Sequence, residues 1–292
     1  MGVRFTALAA ALVLCSLPLA GCGGSPTTPP PPPPRPAPVN SLPVIEGISV
    51  QGRRLLQPAR MADLGEIVDV VATVRDAETN VDELAYQWTA TAGTFSGTGR
   101  TVTWTAPSSA STPAIVTITL KVTELYGHPG EAKTFSQDVS ATQTLSLHDS
   151  VKEVGDMSRQ FLTDFSTTTL KDSNVVMRNF NRAVCPRPRE VDDEREQVEN
   201  HYNNYVMNAF AIGPAQVGIN FRDSCPVPDG FLPADACVAV RVMWDSTGPN
   251  GRAVSTGVDL LTAVYSTADS RWWLCSSRFH PDTTAGHAFY SK

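Results

Sequence analysis

Two periods of apolar residues divide the chain. Val116, Ile118, Leu120 and Val122 alternate with Thr117, Thr119, Lys121 and Thr123, the two-residue repeat of a strand with one buried face. The segments Pro43–Val50, Ile67–Val74, Leu84–Ala90, Thr101–Thr105, Ile115–Thr123 and Thr134–Ser140 share its branched and aromatic content and are separated by Gly-, Pro-, Asn- and Ser-rich pieces. Six or seven such strands in about 100 residues predict a β-sandwich over residues 41–145. From Asp149 the period changes to three and four residues through Val151, Val154, Met157, Phe161, Leu162 and Phe165. That spacing predicts an amphipathic helix capped by Asp149 or Ser150. A short helix is expected over Val175–Asn181 and another over Asp192–Met207, with Pro186 and Pro188 interrupting them. Four strands follow, Gln216–Arg222, Val238–Trp244, Val258–Ser266 and Arg271–Phe279, the last two joined by a turn at Ala268–Asp269. Helices followed by antiparallel strands predict an α+β cone over residues 147–292. The expected fold class is therefore multidomain, an all-β sandwich followed by a cone with a curved antiparallel sheet.

The beginning of the chain follows neither period. Arg4 precedes an apolar run from Phe5 to Leu17, broken by Thr6, Cys15 and Ser16 and too short to span a bilayer. Leu19-Ala20-Gly21-Cys22 then resembles the lipobox of bacterial lipoproteins. The resemblance implies a signal peptide over residues 1–21 and diacylglyceryl and palmitate chains on Cys22. Several chains are needed because one gives only marginal membrane binding, at about 0.8 kcal/mol per buried methylene. Gly23 stands where Asp would favour retention in the inner membrane, so the resemblance points to a lipid-anchored envelope protein of the outer membrane. Residues 22–40 hold the anchor and a stalk in which Pro26, Pro29 to Pro34, Pro36 and Pro38 dictate an extended polyproline helix. At about 3.1 Å per residue it would reach roughly 40 Å.

Composition removes several classes of function. A net charge of −6 without a basic run argues against nucleic acid as a partner. With Cys15 in the signal and Cys22 lipidated, Cys185, Cys225, Cys237 and Cys275 remain, an even number in an exported chain, and are expected to form disulfides. Four cysteines permit three pairings; the preferred one joins Cys225 to Cys237 across a loop and Cys185 to Cys275. Zinc spacing, a G-x-S-x-G elbow, a phosphate-binding glycine loop and an H-E-x-x-H helix are all missing from the sequence.

Further resemblances concern the two domains. Tyr86-Gln87-Trp88, Gly93-Thr94-Phe95-Ser96-Gly97 and Val102-Thr103-Trp104-Thr105-Ala106-Pro107 are similar to immunoglobulin-like and polycystic-kidney-disease (PKD) type modules of bacterial surface proteins. This likeness implies spacing, adhesion or glycan contact rather than catalysis. The element order after Asp149, ending in Trp272-Trp273-Leu274, resembles the nuclear-transport-factor-like fold, which includes polyketide cyclases and ketosteroid isomerases. That likeness implies a pocket between helices and sheet, although no position matches a catalytic motif closely enough to carry a role over.

Candidate chemistry is therefore read from the residues. His201 and Tyr205 lie four apart on one helix face, and Asp259 and Tyr265 share a strand face, which makes these four the candidate pocket residues. A carboxylate in an apolar pocket could serve as a general base, but His201 stands among Glu199, Asn200 and Asn203 as on a solvated face. Asp76, Glu78 and Asp82, with Asn80 and Glu83, place oxygen ligands close enough in sequence to be a calcium candidate, though without the glycine and spacing of an EF-hand, and solvated turn carboxylates are the plainer reading. His280, Asp282 and His287 read as a loose tail, and Trp88 and Trp104 as core. The expectation is a non-enzymatic binding or interaction lipoprotein without a cofactor, partnered by the membrane through its anchor and by an envelope protein or glycan. Its alternative is a cyclase- or isomerase-like enzyme, or a small-ligand binder, using the cone.

Overall fold

The computed structural model describes Pro33 and residues 35–282, apart from positions 168, 170, 220, 222–224 and 229. The chain divides into Met1–Ala37 and Pro38–Lys292. The expected signal peptide, the lipidation candidate Cys22 and most of the expected stalk lie outside the described residues. It is mainly β, with three helices among the described residues and a curved sheet. None of those helices is long and apolar enough to cross a membrane.

The first eight strands, β1 (Val44–Gly52), β2 (Met61–Asp63), β3 (Ile67–Arg75), β4 (Ala85–Ala90), β5 (Thr94–Ser96), β6 (Thr101–Thr105), β7 (Ala114–Tyr126) and β8 (Phe135–His148), build two four-stranded sheets, ordered β1-β3-β6-β5 and β2-β8-β7-β4. Val50, Val68, Val70, Val102 and Trp104 from one sheet share a core with Val116, Ile118, Leu145 and Leu147 from the other. The alternation in β7 explains this: Val116, Ile118, Leu120 and Val122 are buried while the intervening Thr117, Thr119, Lys121 and Thr123 are partly exposed. Each such side chain contributes on the order of 1.5–3 kcal/mol on burial. Trp104 is fully buried and its indole N–H donates to Ala92 O at 2.9 Å, which meets the one polar demand of that side chain. The strands β2 and β5, three residues each, carry too few positions to show a period and have no counterpart in the sequence reading.

β8 leads directly into α1 (Ser150–Ser166), whose N-cap Asp149 accepts from the Lys152 N–H. The helix buries Val154, Met157, Phe161 and Leu162 on one face. A four-residue helix α2 (Ser173–Val176) and a 3-10 turn follow, then α3 (Pro188–Asn204). Pro188 does not interrupt this helix but opens it: at the first helical position its fixed φ is already helical and its missing N–H is not needed. Val191, Glu194, Val198 and Tyr202 form its buried stripe. The antiparallel sheet β14-β13-β12-β9 comprises β9 (Val206–Ile219), β12 (Ala236–Gly248), β13 (Gly251–Ser266) and β14 (Arg271–Pro281), and the pair β10 (Cys225–Val227) and β11 (Gly230–Leu232) stands apart from it. The helices share a second core with the inner face of this sheet, including Val238, Val240, Val242, Leu261 and Leu274. Two disulfides, Cys185–Cys275 and Cys225–Cys237, fasten this half.

The two cores are linked by a short stretch of chain. β2 pairs in parallel with the end of β8, and its Met61 belongs to the α/β core while Ala62 belongs to the sandwich core. Asp63 accepts from both the N–H and the hydroxyl of Ser150, at 2.9 and 2.6 Å, so the same segment also holds the start of α1.

Candidate functional site

Between α1, α3 and the inner face of the curved sheet lies a cavity of about 260 Å³. Phe161, Leu162 and Phe165 reach it from α1; Glu194, Gln197, His201 and Tyr205 from α3 and its C-cap; Met207, Trp244, Ser246, Ser255, Asp259, Ser277 and Phe279 from the sheet. The helical stripe explains the α3 contributors, since His201 and Tyr205 continue the three- and four-residue steps of Val191, Glu194 and Val198. His201 is therefore not on a solvated face as its sequence neighbours imply. Its ring stacks on Phe165 at 4.3 Å between centroids and on Tyr205 at 5.6 Å, and Phe165 in turn meets Trp244 edge-on at 5.8 Å.

Two glycines shape the sheet side of this region. A Cβ on Gly248 would lie 2.4 Å from the Tyr205 ring. One on Gly257 would lie 2.1 Å from the His280 carbonyl and 2.7 Å from the Phe279 ring, so the close approach of β14 requires that position to be bare.

The polar floor centres on Ser277. Its hydroxyl donates to Asp259 Oδ1 at 2.6 Å and its N–H donates to Glu194 Oε2 at 3.0 Å. Both carboxyls are buried, at 5% exposure each. Burial, and then the neighbouring Asp259 charge, hold the Glu194 carboxyl well above the usual carboxylate range. Burial pushes Asp259 up to about 6, opposed by the Ser277 hydroxyl and the Arg278 N–H. The Arg278 guanidinium meets the neighbouring Glu190, its Nη2 lying 3.0 Å from both carboxylate oxygens. Burial lowers the pKa of His201, which keeps the imidazole neutral near pH 7, and its Nε2 has no hydrogen-bond partner among the described residues. An apolar ring-lined wall thus meets two buried acids and an imidazole whose buried Nε2 has no partner among the described residues.

Of the four pocket candidates, His201, Tyr205 and Asp259 meet here. Tyr265 does not. It shares the inner face of β13 with Asp259, but three two-residue steps carry it about 20 Å along the strand, where its hydroxyl lies 3.1 Å from His148 Nε2 beside the sandwich. Phe221 and Trp272 stack on one another at 5.9 Å in the α/β core, and neither lines the cavity, whereas Trp244 forms part of its wall. Glu194 and Ser277 were not among the sequence candidates. Glu194 had a legible signal, an acid inside the apolar stripe of α3; Ser277 had none beyond its place on a strand.

The remaining candidates have separate partners. Asp76 Oδ1 accepts from the N–H groups of Glu78 and Thr79, Glu78 from Ser41, and Asp82 pairs with Arg100. No group of three or more metal-ligating side chains that could hold an ion occurs among the described residues. The loose-tail reading fails for His280 and Asp282: His280 lies in β14, paired with Val258, and Asp282 accepts from Arg241 and Thr256, because the strand extends beyond Phe279. His287 lies outside the described residues. Compared with known proteins, the chain matches no family model, no curated protein and no solved structure.

Proposed function

We propose that this chain is an envelope lipoprotein, anchored through lipid on Cys22 and raised on its Pro-rich stalk, that takes up a small molecule in its α/β half. In this reading residues 41–145 are an immunoglobulin-like, PKD-type spacer and residues 147–292 a nuclear-transport-factor-like cone. Support for the anchor comes from the Leu19-Ala20-Gly21-Cys22 box behind an apolar run. The observation that carries the uptake is the cavity, whose aromatic wall and few convergent polar groups are the usual composition of a small-molecule site. The outer membrane, with its proteins and glycans, remains the proposed setting.

A thermal-shift screen of small aromatic amines, alcohols and acids tests the uptake. At least one class is expected to raise the melting temperature of the wild type and to lose that effect in Trp244→Leu; no shift from any class would reject the reading. For the anchor, radiolabelled palmitate is expected to enter the wild type and not Cys22→Ser, and equal labelling of both would reject it.

A second reading, proton transfer of the cyclase or isomerase kind, is favoured by one observation. Asp259, buried and pushed up to about 6, matches a base to near-neutral pH, and a second buried carboxyl, Glu194, is held above the usual carboxylate range beside it. Turnover of a bound compound that Asp259→Asn abolishes while binding persists would establish it; unchanged turnover in that variant would remove it.

A further inference from the structure

We infer that the cavity selects an organic cation, a small amine or quaternary ammonium carried on an apolar or aromatic body. The inference rests on the uptake proposed above and names its ligand class.

The charge at the floor is of one sign. Glu194 and Asp259 are both buried and both held by Ser277, through its N–H at 3.0 Å and its hydroxyl at 2.6 Å. The nearby guanidinium of Arg278 is engaged at 3.0 Å by Glu190, one turn earlier on α3. The groups facing the two acids are accounted for element by element. From α3 come Glu190, His201 and Tyr205, from β14 Arg278, and α1, β9 and β12 line the cavity without an ionisable side chain. Two acids buried together disfavour a second negative charge and are relieved by a positive one. An anionic ligand would add repulsion, and a neutral one would leave the acids as they are.

The wall suits the same class. Trp244, Phe165, Tyr205 and Phe279 present rings to the cavity, and a cation is attracted by the face of an aromatic ring, most by tryptophan. His201 Nε2 has no hydrogen-bond partner among the described residues, and the burial that keeps this imidazole neutral removes a competing positive charge. Size limits the ligand: a cavity of about 150 Å³ accepts benzene, so 260 Å³ accommodates one ring with a short charged arm.

Isothermal titration of the purified protein with 2-phenylethylammonium and with 2-phenylethanol isolates the charge, because the two probes share ring and chain. The ammonium is expected to bind at least about tenfold more tightly near pH 8, where Asp259 is ionised, and to lose most of that advantage near pH 5, below the value of about 6 to which burial raises Asp259. Asp259→Asn is expected to reduce the advantage at the higher pH while alcohol binding persists; if that variant fails to fold, the wild-type pH comparison still decides. Equal binding of the two probes near pH 8, or an advantage that does not change with pH, would overturn the cation while leaving the uptake standing. Binding of neither probe would also overturn the cation, and the thermal-shift screen of all three classes then decides the uptake.

Discussion

Each half of the molecule buries a carboxylate on the inner face of a strand, and the two acids differ in what surrounds them. In the sandwich, Glu124 extends the buried row of β7 and is fully covered. The side-chain amides of Asn40 and Gln137 donate to its Oε2 at 2.6 and 2.8 Å, and the Thr79 hydroxyl donates to Oε1. Three neutral donors satisfy it, and it ties the start of the described chain to the end of the sandwich. In the α/β half, Asp259 occupies the corresponding kind of position on β13 but has one hydroxyl and one backbone N–H, a second acid close by and a cavity in front. A buried acid surrounded by donors is a structural fastener; one that faces a void beside another acid leaves electrostatic energy that a ligand can recover.

The largest test of this contrast removes the fastener that only the α/β half has. Cys185 and Cys275 are 90 residues apart in sequence, and the chain-entropy relation gives about 4.5 kcal/mol for such a loop against about 3 kcal/mol for Cys225–Cys237. Urea titration of Cys185→Ala/Cys275→Ala is expected to show that loss, and a loss smaller than that of Cys225→Ala/Cys237→Ala would contradict it.

Next come the tryptophans. Trp104→Ala in the closed sandwich core is expected to cost about 4 kcal/mol, and Trp244→Ala, which enlarges an existing cavity, about half as much or less. Equal losses by chemical denaturation would mean that Trp244 is ordinary core.

The carboxylates themselves should respond with opposite signs. Because the folded pKa of Asp259 is raised to about 6, its contribution is most favourable below the unfolded value and is lost as pH rises through 6, a penalty of about 3 kcal/mol near pH 7. Asp259→Asn is therefore expected to stabilise the protein near pH 7 by about 2 kcal/mol after loss of part of the Ser277 bond. The gain should vanish near pH 4. Denaturation across that range, with no change in the difference between variant and wild type, would contradict the burial argument. The smallest effect is expected from Glu124→Gln, a loss of about 1–2 kcal/mol as an amide replaces an acceptor-only group among three donors; stabilisation instead would erase the distinction between the two acids.

How much of this was legible in the sequence differs between the halves for physical reasons. Strands with one covered face display a period that local sequence carries, so β1, β3, β6 and β7 were readable to within a few residues at their ends. The site was readable only where a helix stripe or strand face brought residues together. Linear neighbours misled at His201, where Glu199, Asn200 and Asn203 point along other faces of α3. Proline misled at Pro188, where the same rigidity that breaks a helix interior begins one. Sharing a strand face misled at Tyr265, because a face extends well beyond any single cavity. The meeting of Ser277 with both Glu194 and Asp259 depends on α3 crossing the sheet at β14, a tertiary fact that no local pattern contains.

Uptake of a small molecule by the α/β cavity, with the sandwich core closed, can be followed through the indole N–H and imidazole resonances during titration with 2-phenylethylammonium and 2-phenylethanol. Trp244 and His201 are expected to shift and saturate together with one dissociation constant for at least one probe, while Trp88 and Trp104 remain in place. Shifts spread equally over Trp88, Trp104 and Trp244, or no saturable shift at Trp244 and His201 with either probe, would contradict it.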